Sequence, residues 1–253
     1  MSEILTKEKL LDHFKCFDDD NFKFYADEHK YFYEDQEYIS ATTLVGQFHE
    51  PFDKEGKSLK VAVREGRPQQ EVLDEWQHKN DVANEIGTFT HEWIEDYFNG
   101  IWRELPTDPD YIHRINKFNN IYCKDIHKLQ FVGAELRVFS KKYKIAGTID
   151  GLFLYNNKLF IIDWKTNKKF THDAHEDGKW QTLLPPFNNF YKNHHNEYSL
   201  QISLYSLILK ECGIDVSGGY LVHIGPGEEP AEIYKCINMQ EKFKAWLDEN
   251  RAV

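Results

Sequence analysis

Apolar residues in this chain recur at three- and four-residue steps in some blocks and alternate with polar residues in others, so helices and strands separate by period. Thr6 is positioned to cap a short amphipathic helix through Leu10, Leu11 and Phe14. The stretch FKFYADEHKYFYEDQEYIS alternates as strands around turns, and Ala41 to Phe48 reads as a short helix capped by Ser40 or Thr42. A long helical block runs from about Gln69 to Phe98, with Val72, Trp76, Val82, Ile86, Trp93, Ile94 and Tyr97 as packing residues and Gly100 ending it. The connector LPTDPD leads to a further helix through Ile115, Phe118, Ile121 and Tyr122, and strands follow from Phe131 to Lys165. The next segment, TNKKFTHDAHEDGKWQTLLPPFNNFYKNHHNEY, is polar, histidine-rich and broken by Pro185 and Pro186; such a length without periodicity marks a functional loop. Tyr198 to Leu209 is apolar on most sides, as a buried helix is, and YLVHI and EIYKCI close the chain's strands.

The most informative stretch is GTIDGLFLYNNKLFIIDWKT, two apolar strands around Asn156 and Asn157 that nevertheless carry Asp150, Asp163 and Lys165. Asparagine tolerates positive φ, so a two-residue turn there pairs Tyr155 with Lys158 and, counting back, Asp150 with Asp163. Asp163 and Lys165, two apart, share a face. Like charges directly across a sheet are destabilising, and a divalent cation is the simplest compensation, because Mg²⁺ and Mn²⁺ favour carboxylate oxygens. If Lys141 and Lys142 form the preceding turn, Glu135 pairs with Thr148, and Glu135, Asp150, Asp163 and Lys165 share one face of three strands; a turn one residue longer breaks this arrangement.

Composition narrows the picture. The 253 residues suffice for one elaborated domain, with 1–68 as an N-terminal elaboration, 69–225 as the core and 226–253 as a closing strand and helix. A net charge of −11 repels nucleic acid on average, so a DNA partner requires a local basic patch or bound cations. One patch is offered by 52–67, where Lys54, Lys57, Lys60, Arg64 and Arg67 recur at helical spacing, either as a solvated face or as a phosphate-tracking surface. Cys16, Cys123, Cys212 and Cys236 stand far apart without a CxxC, which suggests neither a zinc site nor a disulfide framework and favours a reducing cytoplasm. The opening residues lack the apolar run of a secretory leader, and no stretch approaches a membrane span.

Four motifs in order give the chain a family resemblance: GTFTHEWIE (Gly87 to Glu95), GTID (Gly147 to Asp150), DWK (Asp163 to Lys165) and QISLY (Gln201 to Tyr205). Together with EYISATTL they resemble the PD-(D/E)XK nucleases, in particular the RecB-like exonuclease branch, from about Tyr31 to Ile224. The resemblance implies an α/β (α+β) fold with a restriction-endonuclease-like core, a central mixed β-sheet flanked by helices, with an N-terminal hairpin and helical elaborations. It further implies a Mg²⁺- or Mn²⁺-dependent DNA exonuclease using one or two ions, in the cytoplasm of a bacterial or phage-infected cell. Structure-specific endonuclease activity and a non-catalytic DNA-binding scaffold are the alternatives. On this resemblance Asp150 and Asp163 match metal-binding acids, Lys165 the catalytic lysine, His91 a helix histidine completing the metal shell, and Glu135 an acid near a second ion. Gln201 and Tyr205, four apart on one helical face, match the QxxxY helix and reach either DNA or the core.

Two positions depart from the pattern: Ile149 stands where proline precedes the first acid, and Asp163 replaces the commoner glutamate. No iron–sulfur cysteines are present, so no cluster is expected. For the DNA path, a positive groove with aromatic platforms suits a single strand or a DNA end, and Lys57, Lys60, Arg64, Lys168, Lys169, Tyr191 and Lys192 are the candidates. Recombination or replication proteins are possible partners of unspecified identity. His172, His175, His194 and His195 match no metal-ligand spacing and are left outside the site.

Overall fold

The computed structural model describes residues 5–26, 28–176 and 179–252. In chain order the helices are α1 (Lys7–Phe14), α2 (Ala41–Gly46), α3 (Lys54–Glu65), α4 (Gln69–Asn99), α5 (Pro109–Lys124), α6 (His194–Glu211) and α7 (Gln240–Asn250). The strands are β1 (Phe22–Tyr25), β2 (Lys30–Tyr33), β3 (Gln36–Ser40), β4 (Gln130–Ser140), β5 (Ile145–Tyr155), β6 (Lys158–Lys165), β7 (His175–Glu176), β8 (Lys179–Trp180), β9 (Gly218–His223) and β10 (Glu232–Lys235). Local chemistry sets several boundaries. Thr6 Oγ1 accepts the Lys9 N–H at the start of α1, and Ser40 Oγ accepts the Thr43 N–H at the start of α2. Asn156 and Asn157 take φ of 49° and 59° in the β5–β6 turn. Gly100 ends α4 in the left-handed conformation.

A central mixed sheet flanked by helices results, in the order β1-β2-β3-β5-β6-β9-β10 with β4 against β5. On one side α4 and α5 bring Trp93, Ile94, Ile115, Phe118 and Ile121 onto Phe153, Ile162, Trp164 and Val222. On the other, a larger cluster joins α1, α2, α6 and α7 to the sheet through Leu44, Ile149, Leu152, Leu159, Ile161, Leu204 and Phe243. Within α4, Val72, Ile86, Trp93 and Ile94 are buried as expected, but Val82 and Tyr97 are each 38% exposed. Tyr97 nevertheless packs its ring against Trp93, Phe118 and Tyr122 between α4 and α5.

The centre of the sheet is forked. Ile145 and Ala146 of β5 pair with β4 on one edge and with Ile39 and Ser40 of β3 on the other. Gly151 to Leu154 likewise pair with β4 and, on the opposite edge, with β6. β3 and β6 therefore share one edge of β5, and Gly147 to Asp150 lies between them with no strand partner on that edge among the described residues. Ser40 opens the fork, since it ends β3 and caps α2 in one step.

Two sequence expectations are corrected. The turn before β5 spans four residues, Lys141 to Lys144, with Ser140 paired to Ile145 and Arg137, not Glu135, facing Thr148. The shift is two residues, so inward and outward positions are preserved. Ala134–Gly151 and Leu136–Ile149 flank Glu135 and set it opposite Asp150. The second correction concerns cysteine: Cys16 and Cys212, 196 residues apart, form a disulfide with Cα atoms 6.3 Å apart, while Cys123 and Cys236 are free. Packing between the N-terminal helix and the end of α6 creates this pair, which spacing could not reveal, and the cysteines no longer argue for a reducing compartment. Among the described residues no helix is long and apolar enough to cross a membrane.

Phe153 is fully buried between the rings of Phe98, Phe131 and Trp164. Phe153→Ala is expected to lower unfolding free energy by about 3–5 kcal/mol in urea denaturation; a loss below about 1 kcal/mol contradicts this packing.

Candidate metal centre

His91, Glu135 and Asp150 converge at the inner end of the fork, each offering a ligand atom within 4.8 Å of the others. His91 Nδ1 lies 3.5 Å from Asp150 Oδ2 and 3.8 Å from Glu135 Oε1. Three elements supply them: α4, β4 and β5. Gly87, one turn before His91, allows the helix to approach, because a Cβ there would lie 3.1 Å from Thr166 Oγ1 just beyond β6. Glu135 adopts a φ of 46°, a conformation that costs a non-glycine residue on the order of 1 kcal/mol or more and is typically retained where a side chain must be aimed.

The β5–β6 pairing begins at Tyr155–Lys158, as the asparagine turn predicts, but stops at Gly151–Ile162, one pair short of Asp150 and Asp163. Past that point β6 stays with β9, where Asp163 faces Leu221. The Trp164 N–H donates to Asp150 Oδ2 at 2.9 Å and fixes that carboxylate in the opening. Asp163, 1% exposed, instead forms an ion pair with Lys165 Nζ at 2.7 Å. Asp163 is not among the three residues whose candidate ligand atoms lie within 4.8 Å of one another, though it still feels the charges of Asp150 and His91.

Lys165 is held from two further sides. Its ammonium donates to Gln201 Oε1 at 3.4 Å and lies 4.2 Å from the Tyr198 ring centroid. Gln201 Nε2 donates in turn to the Tyr205 hydroxyl at 3.1 Å, so the two QxxxY residues form a buried relay behind the lysine. Gly147 makes room for it: a Cβ there would meet Tyr205 Cε1 at 2.6 Å. Tyr31 from β2 closes the fork through a 3.0 Å hydrogen bond between its hydroxyl and Thr148 Oγ1.

The electrostatics follow from this crowding. Burial alone would lower the His91 pKa, yet the Asp150 and Glu135 carboxylates raise it to about 9. Burial pushes Asp150 above the usual carboxylate range, against the pull of His91 and Lys165. Asp163 is pushed up to about 6 by burial despite Lys165. Burial disfavours charge on Lys165 as well, but Asp163 and Asp150 more than offset it and raise the ammonium's pKa, so Lys165 is cationic. Without an ion, a protonated His91 is the main counter-charge available to Glu135 and Asp150.

A cavity of about 760 Å³ opens over His91, Glu135 and Asp150, lined also by Tyr31, Glu92, Glu95, Arg137, Gln201 and Tyr205. None of Lys57, Lys60, Arg64, Lys168, Lys169, Tyr191 and Lys192 lines it. Lys60 and Arg64 are exposed on α3, Arg64 pairing with Glu65, and Lys57 lies over the Phe52 ring. Phe52 and Lys192 border a separate groove with His49, Thr171 and His194, whereas Lys168 and Lys169 are exposed and Tyr191 packs on Trp180. Sequence reasoning did not single out Tyr31, Arg137 or Tyr198. Of these only Tyr198 carried a local signal, lying three residues before Gln201 on the same helical face.

No protein-family profile matches the chain, and no curated protein matches it. Among solved structures, a chain described as "Crystal structure of SSO0001" is 14% identical with a TM-score of 0.32, over 97% of this chain and 84% of that one. At that TM-score the likeness carries no argument.

Two measurements test the geometry without any ligand. Glu135→Gly is expected to be more stable than Glu135→Ala by about 1 kcal/mol, since only glycine adopts the left-handed conformation without steric cost; equal stabilities contradict the assigned backbone. In EDTA, His91, raised from its unfolded 6.5 to about 9, contributes stability that is complete below pH 6.5 and is lost as pH rises through 9. Unfolding free energy should therefore fall across that window and do so less in His91→Gln; identical profiles contradict the pairing.

Proposed function

We propose that the chain is a divalent-metal-dependent deoxyribonuclease, most simply an exonuclease acting on DNA ends or single strands in recombination, repair or DNA turnover. The observation that carries this reading is the convergence of one imidazole and two carboxylates beside a buried lysine at the opening of a forked sheet. The resemblance of GTFTHEWIE, GTID, DWK and QISLY to the RecB-like PD-(D/E)XK branch supports the same reading.

The donor set fits Mg²⁺ or Mn²⁺: two oxygens and one nitrogen with no thiolate, already gathered to within 4.8 Å. His91, Glu135 and Asp150 are the residues that would hold such an ion, with Asp163 adjacent. When bound, the cation supplies charge neutralisation at the phosphodiester and a more acidic water. Lys165 presents a fixed positive charge to the negative charge that grows as the phosphodiester is attacked. Asp163 holds the ammonium from beneath, while Gln201 and the Tyr198 ring set its direction, so little reorganisation is needed during reaction. Tyr205 and Trp164 act one step further out, on Gln201 and Asp150 respectively.

End-labelled single- and double-stranded DNA, incubated with and without Mn²⁺ or Mg²⁺, tests this reading. Cleavage that requires the ion is expected, with Asp150→Asn and Lys165→Ala each reducing the rate by at least about a hundredfold while far-UV circular dichroism is unchanged. Circular single-stranded DNA should survive where linear DNA is degraded; prompt cutting of circles assigns endonuclease activity instead. Intact DNA of every form rejects the nuclease reading.

A further inference from the structure

The cavity above the three metal-ligating residues is a poor place for a polyanion, because Glu92, Glu95, Glu135 and Asp150 all line it. Arg137 is the only lysine or arginine among its lining residues. Among the described residues no carboxylate stands within ion-pair distance of it, although Glu135 is two positions away on β4, and its side chain is exposed. An arginine left unpaired beside four acids is available to a ligand with anionic groups.

Its position is also built. Arg137 faces Thr148 across the β4–β5 ladder, and Thr148 is hydrogen-bonded to the Tyr31 hydroxyl. Tyr31 stacks on Phe24 with ring centroids 4.7 Å apart, and the Arg137 guanidinium lies 5.2 Å from the Phe24 centroid. The N-terminal hairpin thus supplies an aromatic shelf that restrains the guanidinium by cation–π attraction. Two residues of strand place Arg137 about 6.6 Å along β4 from Glu135, a step comparable with one nucleotide of an extended strand.

We propose that Arg137, seated on Phe24, binds the phosphodiester adjacent to the one that reacts. This assignment rests on the nuclease reading and adds the next phosphate along the strand as its ligand. A guanidinium suits that role, since its fork of N–H donors matches phosphate oxygens in pairs and stays charged at any working pH. It also explains how an acid-lined cavity accepts nucleic acid: the divalent ion neutralises one phosphate and Arg137 its neighbour. Phe24 is a positioning residue for the guanidinium.

The test is equilibrium binding of a fluorescein-labelled single-stranded oligodeoxynucleotide, followed by anisotropy in Ca²⁺ between about 50 and 200 mM salt. Arg137→Gln is expected to weaken binding about tenfold or more and to reduce the slope of log affinity against log salt by about one. Arg137→Lys should recover the slope but not the full affinity, and Phe24→Leu, which keeps apolar bulk in the hairpin, should lose affinity with the slope retained. Wild-type affinity and slope in Arg137→Gln overturn the proposal. A wild-type protein that neither binds nor cuts DNA in any divalent ion overturns the nuclease reading itself, a result distinguishable from the first.

Discussion

Buried negative charge is the constraint around which the centre of this protein is arranged. Glu135 and Asp150 face each other across a strand pair, and Asp163 is buried on the next strand. The two aspartates are costly to bury, and all three acids repel one another. Three sources of positive charge oppose them: the Lys165 ammonium, the His91 imidazolium in the absence of an ion, and the polarised Trp164 N–H. Lys165 is committed to Asp163, so His91 is the adjustable component, and the other two acids raise its pKa to about 9. A divalent cation meets the same two acids with more charge in less space.

The fold delivers this arrangement by interrupting its own sheet. A continuous ladder from β3 through β5 to β6 would place a strand edge where Gly147 to Asp150 now opens onto a cavity. The break is shared between Ser40, which turns β3 into α2, and the divergence of β6 toward β9. Gly87 lets α4 come close enough for His91 to reach the gap from one side, and Gly147 lets Tyr205 reach it from the other. Thr148, inside the gap, meets the N-terminal hairpin through Tyr31, which links that hairpin to the site as well as to the sheet.

Much of this was legible from residues that act locally. The Asn156–Asn157 turn fixed the β5–β6 register because asparagine accepts positive φ, and Thr6, Ser40 and Gly100 marked helix ends through their own capping chemistry. The four-residue turn Lys141 to Lys144 carries no such mark, since it holds none of the glycine, asparagine or aspartate residues that identify turn type, yet Lys144 takes a φ of 53°. The real turn is two residues longer than the expected one, so Glu135 keeps its face but gains Asp150 as its neighbour. The fork, the disulfide between Cys16 and Cys212, and the seat of Arg137 on Phe24 join segments over a hundred residues apart. Nothing in local periodicity encodes such contacts. The separation of Asp163 from the three-ligand group was hidden for a related reason: register places carboxylates opposite one another but does not say where two strands part.

The proposed function requires that His91, Glu135 and Asp150 hold a divalent cation among these acids. Anomalous diffraction from crystals soaked in Mn²⁺ measures it most directly. A peak bonded to His91 Nδ1, Glu135 and Asp150, at about 2.0–2.3 Å from each, is the expected result. Crystals with no manganese peak between those side chains, or with the ion bound only elsewhere on the surface, would contradict the account.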